Sequence, residues 1–548
     1  MGTELQEQSK PEEAIEAYNK ALAIKPDYAD AYNNMGSALQ EQSKPEEAIE
    51  AYKKALAIKP DYADAFNNMG TVLQEQSKPE EAIEAYRKAL AINPDFDLAK
   101  TQLLHQLAQI CNWDSVAEDI NLISELGTSE KEVPPFALLS LEDAPDRHLT
   151  RSKIHAKTKY SQKALPPKAR PFKRPKRIRI GYFSTDFKEH PVAYLIAKVL
   201  EMHDRDQFEI FGYSVNGSSL CEMRQRLEKS FDRFADLQNM SDRGIALQAR
   251  RDEIDIAIDL NGYTKYARTG IFAYRAAPIQ INYLGFPGTL GSNFMDYIIA
   301  DRFLIPAENQ KYFNEQLLYL PNTYMPTDDC REFSKKKITR SDMQLPEDSF
   351  VFCCFNNNYK ITPPEFDIWM RLLRKVENSV LWLRKSNRYS HLNMENEARK
   401  RNVDPSRLVF ADKMPMDEHL ARQRLADLFV DTFSFNAHTT ASEALWAGLP
   451  VVTKAGIGFS ARVAGSLLSA VGLPELITET EKDYEALILE LATNPNKLAK
   501  IKEKLATNRL TQPLFNTELY TKHLENGYQQ AYQNYFDGNL PQAIIVPN

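Results

Sequence analysis

Three short stretches carry side chains suited to chemistry on an anionic leaving group. The first is Phe435-Asn436-Ala437-His438-Thr439-Thr440-Ala441-Ser442-Glu443, which leaves a strand, crosses a polar loop and enters a helix stopped by Gly448. A helix start offers backbone N–H groups without acceptors and the positive end of the helix dipole. His438, Thr439 and Thr440 add an imidazole and two hydroxyls, so the stretch can seat a phosphate or pyrophosphate. Read singly, Thr439 is better explained as a helix cap.

The second stretch is Asn356-Asn357-Asn358-Tyr359-Lys360-Ile361-Thr362-Pro363, again just past a strand. A lysine there neutralises a departing diphosphate, each charge-assisted bond contributing roughly 1.5–3 kcal/mol. With the helix start it supplies the electrophilic assistance that a metal ion gives in other sites. The third is His190, which Pro191 holds in extended backbone at a helix entrance. A neutral ring there orients an acceptor hydroxyl or takes its proton; a packed loop histidine is the competing reading. His419 and Arg422 lie one helical turn apart, placed either to meet a base and its ribose or to decorate a solvent face. Glu443, one turn inside the His-Thr-Thr helix, either accepts from ribose hydroxyls or simply favours the helix start as an acid. The loops Asn261-Gly262-Tyr263-Thr264-Lys265 and Leu284-Gly285-Phe286-Pro287-Gly288-Thr289 carry glycines suited to close backbone approach by a ligand.

Several patterns are missing. No G-x-G-x-x-G follows the first strand of either half, and no G-x-x-x-x-G-K-[ST] occurs, which argues against dinucleotide and P-loop enzymes. No C-x-x-C pair and no acidic pair at a strand end suggests a metal, so the expected reaction uses neither metal nor other cofactor.

These residues need a frame, and the apolar pattern supplies one. Arg177 to Ser184 reads as a strand, followed by a helix from Val192 to Met202 and strands at Phe208–Val215, Ile254–Leu260, Ile279–Leu284, Tyr297–Ala300 and Gln316–Leu320. A second series covers Phe350–Phe355, Ser379–Arg384, Arg407–Phe410, Leu428–Asp431 and Pro450–Thr453. Strands alternating with helices predict parallel, doubly wound sheets. Two Rossmann-like halves in tandem place a cleft between the carboxyl ends of their strands. That is the GT-B arrangement of glycosyltransferases, although topology alone leaves dehydrogenase and kinase layouts open.

Ahead of the α/β region the chain repeats itself. Met1-Gly2-Thr3, Met35-Gly36-Ser37 and Met69-Gly70-Thr71 begin copies 34 residues apart, the period of the tetratricopeptide (TPR) helix-turn-helix repeat. Gly36, Ala48, Tyr52, Ala55 and Pro60 recur as Gly70, Ala82, Tyr86, Ala89 and Pro94. In this register Met1 falls halfway along a first helix, so further repeats are expected before it in the parent protein, or else a truncated chain. Asn33-Asn34 and Asn67-Asn68 face the inside of the superhelix, where Asn34 and Asn68 can hold the backbone amides of an extended peptide or serve only as polar helix residues. The pattern decays after Pro94, with Leu104 in the place of Gly36 and Gly70 and a last helix near Leu98–Ile110. The expected domains are repeats over 1–102, a helical connector over 103–176, a first Rossmann-like lobe over 177–345 and a nucleotide-sugar lobe with C-terminal helices over 346–548. The expected fold class is an α-solenoid followed by two Rossmann-like α/β lobes, with GT-B as the first-choice layout.

The 548 residues carry a net charge of −7, which gives no support for nucleic-acid binding. The basic cluster from Lys168 to Arg179 is broken by prolines and reads as a solvated linker. No run of about 18 apolar residues predicts a membrane span, and the start has no signal-peptide pattern. Five sparse cysteines suit a reducing cytoplasm.

Taken in order, the motifs resemble a known family. The repeats, the Cys111-Asn112-Trp113 connector, His190-Pro191, the Asn261–Lys265 loop, Gly285–Thr289, Tyr359-Lys360-Ile361, His438-Thr439-Thr440, Leu445-Trp446-Ala447-Gly448 and Pro513-Leu514-Phe515-Asn516-Thr517 resemble protein O-linked N-acetylglucosamine transferases over nearly the whole chain. The resemblance implies a metal-independent, inverting enzyme moving N-acetylglucosamine from UDP-GlcNAc to Ser or Thr hydroxyls of protein acceptors guided by the repeats. By that resemblance Lys360 contacts the diphosphate; His438, Thr439 and Thr440 hold the phosphates; Glu443 meets the ribose; His419 and Arg422 meet the uridine; Tyr359 lies beside the leaving group; and His190 is the candidate base. Asn357 and the Pro287-Gly288-Thr289 turn are counted with the donor site, and a homo-oligomer is compatible with the reading.

The chain departs from the family's animal members at Asn357 (Gln there), Glu443 (Asp) and Met416 (Lys), and Asp255 replaces a family His. Only about Thr323–Asp348 links the halves, which suggests a bacterial-type member. SPINDLY-type protein O-fucosyltransferases share the architecture, use GDP-fucose and carry Glu at the Glu443 position, but place Thr where His438 stands. His438 therefore favours UDP-GlcNAc. A transferase acting on glycans or small molecules, and a repeat scaffold without activity, are the other classes considered.

Overall fold

The computed structural model describes residues 11–217 and 220–548, with the side chain of Pro11 left aside. The first repeat copy at Met1–Thr3, and the half-helix expected there, lie outside the described residues.

Paired helices run Pro11–Ile24, Ala29–Glu41, Pro45–Ile58, Ala63–Glu75, Pro79–Ile92 and Asp97–Gln109. Proline opens every second one, where its missing N–H costs nothing. A Cβ on Gly36 would stand 2.6 Å from the Tyr52 ring, and one on Gly70 would stand 2.7 Å from Tyr86, so each glycine exists to let a tyrosine lie across it. One period after Tyr86 stands Ile120, which is 51% exposed, and with no ring to accommodate, Leu104 fills the glycine's place and is fully buried. The connector contributes helices at Trp113–Glu118 and Pro145–Lys159. Buried Arg151 ties it together, donating to the carbonyls of Leu126 (2.7 Å) and Ile123 (2.6 Å) and pairing with Glu142.

The first lobe's strands are β1 (Ile178–Ser184), β2 (Phe208–Ser214), β3 (Arg233–Asp236), β4 (Ile256–Asp259), β5 (Ile279–Asn282), β6 (Tyr297–Asp301) and β7 (Gln316–Leu320). The second lobe holds β8 (Phe350–Cys354), β9 (Ser379–Arg384), β10 (Leu408–Ala411), β11 (Leu428–Val430), β12 (Val451–Lys454) and β13 (Ile477–Thr478). The second sheet runs β10-β9-β8-β11-β12-β13, and the first runs β14-β7-β6-β5-β4-β1-β2-β3, where β14 is Ile544–Ile545. All pairings are parallel. The central strands β1, β4 and β8 are buried on both faces, as a helix-covered parallel sheet requires.

One expected boundary moves. The C-terminal segment, expected in the second lobe, lies on the first, where helix Thr517–Phe536 packs and β14 pairs with β7. Buried tyrosines decide this: Tyr520 donates to Tyr324 O (2.5 Å), Tyr528 meets Tyr182 (3.2 Å), and Glu525 accepts from His203 (2.9 Å). The chain thus crosses back, and its last helix fastens to the lobe where the α/β region began. The basic linker is only partly a solvated strap, since Arg174 reaches Gln533 (3.0 Å) and Arg170 lies over the Tyr535 ring.

Candidate active site

The strands of the second lobe deliver their following loops to one end of the sheet. Past β8 the chain makes a single turn, Asn358–Lys360, and enters helix Pro363–Lys375 through a Thr362/Glu365 capping box. That turn buries Lys360, whose Nζ donates to Asn436 O at 2.9 Å and lies 3.8 Å from the centroid of the Phe435 ring. Burial pulls its pKa down to about 7, against the opposing pull of Asp431. A lysine in this state is ready to hold a full charge once an anion arrives.

Past β11, Asp431 organises the loop that carries the helix start. Its carboxylate accepts from the backbone N–H of Thr432 (2.8 Å) and Ala437 (2.6 Å), from Asn356 Nδ2 (3.2 Å) and from Thr453 Oγ1 (2.7 Å). Helix Thr439–Ala447 then begins, and Gly448 ends it at φ 87°. Thr440 donates its hydroxyl to Asn356 Oδ1 at 2.6 Å, so that hydroxyl is already engaged. His438 Nε2 lies 3.1 Å from Ser460 O and donates to it, and burial keeps the ring neutral, its pKa far below the usual value. The neutral ring has therefore spent its one N–H. What the helix start offers an anion is its first-turn backbone N–H groups and the Thr439 hydroxyl, with Lys360 beside them.

A second cluster forms one turn further along. Glu443 is buried and its Oε2 stands 3.3 Å from His419 Nε2. His419 Nδ1 accepts from Arg422 Nε (3.1 Å) and Nη2 (2.8 Å), which leaves Nε2–H to face the carboxylate. Arg422 is buried against Phe355 (4.9 Å) and Trp382 (5.9 Å). The structure thus joins His419, Arg422 and Glu443 into one relay and removes the solvent-face reading. Asn357 accepts from Arg384 at the end of β9. The Tyr359 ring packs in an aromatic cluster with His105 (5.4 Å), Phe136 (6.2 Å) and Phe435 (6.1 Å), the last of which also lies under Lys360 Nζ.

Across the cleft, His190 caps helix Pro191–Met202 by accepting at Nδ1 from Val192 N (3.3 Å). Asp186 Oδ2 is 3.7 Å from the same nitrogen and is held by Asn261 Nδ2 at 2.7 Å. Burial lowers the His190 pKa and Asp186 opposes that shift. Tyr194, one turn into the same helix, lies near enough to Glu443 for that carboxylate to help raise its phenol to about 12, after burial and Glu189. Gly285 has no room for a side chain, since a Cβ would meet Leu260 O at 2.2 Å. Thr289 is buried and donates to Glu315 while accepting from Gly291 N (3.0 Å), so its hydroxyl fastens the Pro287-Gly288 turn instead of reaching the cleft.

The asparagines lie away from the cleft, in the repeats. Asn67 Nδ2 donates to Asn68 (3.4 Å), Asn68 to Asn33 (3.1 Å) and Asn33 to Asn34 (3.2 Å), a continuous ladder across two repeats. Among the described residues, one group of three side chains could ligate a metal: Asp328, Asp329 and Cys330, in the segment between the lobes, with Asp328 paired to Arg226. Sequence reading missed Asp431, Asn356, Phe435 and Arg384 as parts of the site. Their common signal is position at or just past the carboxyl end of a strand. Among the described residues no helix is long and apolar enough to cross a membrane.

The sequence profile of glycosyl transferase family 41 matches residues 148–338 and 335–524, and tetratricopeptide repeat profiles match residues 27–95 and 2–43. A probable UDP-N-acetylglucosamine–peptide N-acetylglucosaminyltransferase, SEC, of Arabidopsis thaliana is 35% identical over 81% of this chain and 48% of its own length. A relative of Petunia hybrida, named as the probable UDP-N-acetylglucosamine–peptide N-acetylglucosaminyltransferase SPINDLY, is 29% identical over 67% of this chain and 40% of its own. The chain spans about half the length or less of these relatives. A solved structure of a mutant Thermobaculum terrenum O-GlcNAc transferase superposes with a TM-score of 0.71 at 27% identity, covering 98% of this chain and 96% of that one.

Proposed function

The chain belongs to glycosyl transferase family 41, and from that premise we propose that it transfers N-acetylglucosamine from UDP-GlcNAc to Ser or Thr hydroxyls of proteins, with inversion and without a metal ion. The observation that carries this reading is Lys360, buried beside a helix start and poised near neutrality. In the reaction the acceptor oxygen bonds to the anomeric carbon as the bond from that carbon to the diphosphate breaks. Lys360 and the first-turn N–H groups of Thr439–Ala447 take up the charge that develops on the leaving oxygen. His190, neutral because burial lowers its pKa, accepts the proton from the acceptor hydroxyl at Nδ1, its lone-pair nitrogen, giving up there the long 3.3 Å bond from Val192 N. Arg422, His419 and Glu443 form the nucleoside pocket, with the Glu443 carboxylate turned to sugar hydroxyls. The asparagine ladder of the repeats, with Asn34 and Asn68, holds the acceptor's backbone on its way to the cleft.

GDP-fucose is the second donor considered, because relatives named SPINDLY match two thirds of the chain and because Glu443 stands at the ribose position. Incubating the protein with radiolabelled UDP-GlcNAc or GDP-fucose and a protein lysate separates the two. Label transferred to protein from UDP-GlcNAc is expected; transfer from GDP-fucose alone would overturn the donor assignment, and transfer to neither would overturn the activity.

A further inference from the structure

The Pro-rich exit of the connector and the C-terminal tail wall a cavity of about 970 Å³ on the first lobe. It opens at the amino ends of β5 and β6, beside Ile279 and Tyr297, whereas the cleft lies at the carboxyl ends. Nothing in the transfer reaction uses it. Leu165, Pro278 and Leu540 give it apolar walls. Its charged lining is six cations, Lys163, Lys168, Arg170, Arg243, Arg250 and Arg275, against the one carboxylate of Asp296. In a chain of net charge −7 this is a local reversal of sign.

The reversal is not cancelled by ion pairs. Arg275 occupies Asp296, its Nη2 standing 2.8 and 2.7 Å from the two carboxylate oxygens. Arg250 donates only to backbone carbonyls, those of Arg275 (2.8 and 2.6 Å) and Pro166. Arg170 lies over the Tyr535 ring, 5.5 Å from its centroid. Among the described residues, Lys163, Lys168, Arg170, Arg243 and Arg250 make no salt bridge. The Tyr535 hydroxyl is buried without a hydrogen-bond partner. Lys163, Lys168, Arg170 and Arg243 hold their charge in water at the rim of this apolar hollow, so an anion entering it meets a positive potential.

We propose that this cavity binds an organic anion with an apolar body, its acid group on the Arg170–Arg250 side and its body against Leu165, Pro278 and Leu540. A small molecule fits better than a peptide, because the hollow is concave, is closed on one side by the tail at Asn539–Pro541, and has the size of a ligand pocket, about 300–1,000 Å³. The probe is 1-pyrenebutyrate, titrated by fluorescence into the full chain, with 1-pyrenebutanol and butyrate as separate arms. Saturable one-to-one binding is expected, weakened at least about tenfold when either the acid or the ring system is removed. The double variant Lys168→Glu/Arg170→Glu, on the exposed strap, and Leu540→Glu, on the opposite wall, should each weaken binding about tenfold with an unchanged thermal transition. Saturating UDP should leave it untouched. Equal affinity for the alcohol or for butyrate, indifference to both variants, competition by UDP, or no saturable binding would each overturn the assignment.

Discussion

Both sheets are parallel throughout and deliver loops at their carboxyl ends, but the loops are finished in different ways. The second lobe buries Lys360, Asp431, Arg422 and Glu443 and ties them to one another or to backbone before any ligand is present. The first lobe leaves His190 half-buried, with a single 3.3 Å bond to its own helix and Asp186 at 3.7 Å. The cost of desolvating charge has already been met in the second lobe, so on the proposed function a diphosphate would meet fixed donors that need little reorganisation. The first lobe leaves its imidazole loosely held, which on the proposed function would let it adjust to acceptors of differing sequence. A pre-tied set of charges in one lobe faces a loosely held imidazole in the other.

That contrast can be broken most forcefully at Lys360. Lys360→Ala should lower kcat by at least about a hundredfold, some 2.7 kcal/mol, with the circular dichroism spectrum retained. Unaltered turnover would show that the buried cation is structural. His190→Ala is expected to lower kcat by about ten- to a hundredfold while the Kd for donor, measured by calorimetry, stays the same. A parallel loss of donor affinity would erase the division of labour between the lobes.

The next effect is on pH. Lys360 has its pKa depressed to about 7 in the free protein, so it is charged below that value and neutral above it. A bound diphosphate favours the charged form, so donor binding takes up a proton above pH 7 and should weaken by up to about tenfold per pH unit. The same depression means the unfolded chain holds this proton to higher pH than the folded one, so above pH 7 the lysine's contribution to stability rises with pH. Calorimetry of UDP-GlcNAc binding between pH 6.5 and 8.5, in buffers of differing ionisation heat, reads the proton uptake directly. A flat profile would count against a near-neutral lysine. The smallest expected change is in Trp113→Phe, which leaves the buried Ile361 carbonyl unpaired and should cost about 1–3 kcal/mol of stability with only a few-fold loss of kcat.

The frame was legible in the sequence wherever periodicity was long. The 34-residue copies, the alternating strands and helices and the glycine-stopped helix at Gly448 all appear in the structure. Short strands were not legible: β3, β13 and β14 are too brief to show a period, and β14 is recruited by a distant partner, β7. Residue types alone could not say which hydroxyls were already taken. Thr289 and Thr440 look alike in sequence as ligand donors, yet one is bonded to Glu315 and the other to Asn356. Tyr359 likewise reads as a cleft residue, and only packing shows its ring among His105, Phe136 and Phe435.

The turn carrying Lys360 is gripped from outside its own lobe. Trp113 donates to Ile361 O at 3.2 Å, the Cys111 thiol meets Asn358 O, and Asn387 and Asn393 of the second lobe donate to the carbonyls of Gln109 and Ile110. The near end of the repeat array is therefore in fixed register with the turn that carries Lys360. On the proposed function, whole 34-residue units added at the far end would lengthen the surface offered to a polypeptide without rotating the last stage before the cleft. Insertions between Ile92 and Trp113 would misalign it. Reach and chemistry can thus diverge separately, one by counting repeats and the other by residues on the two lobes.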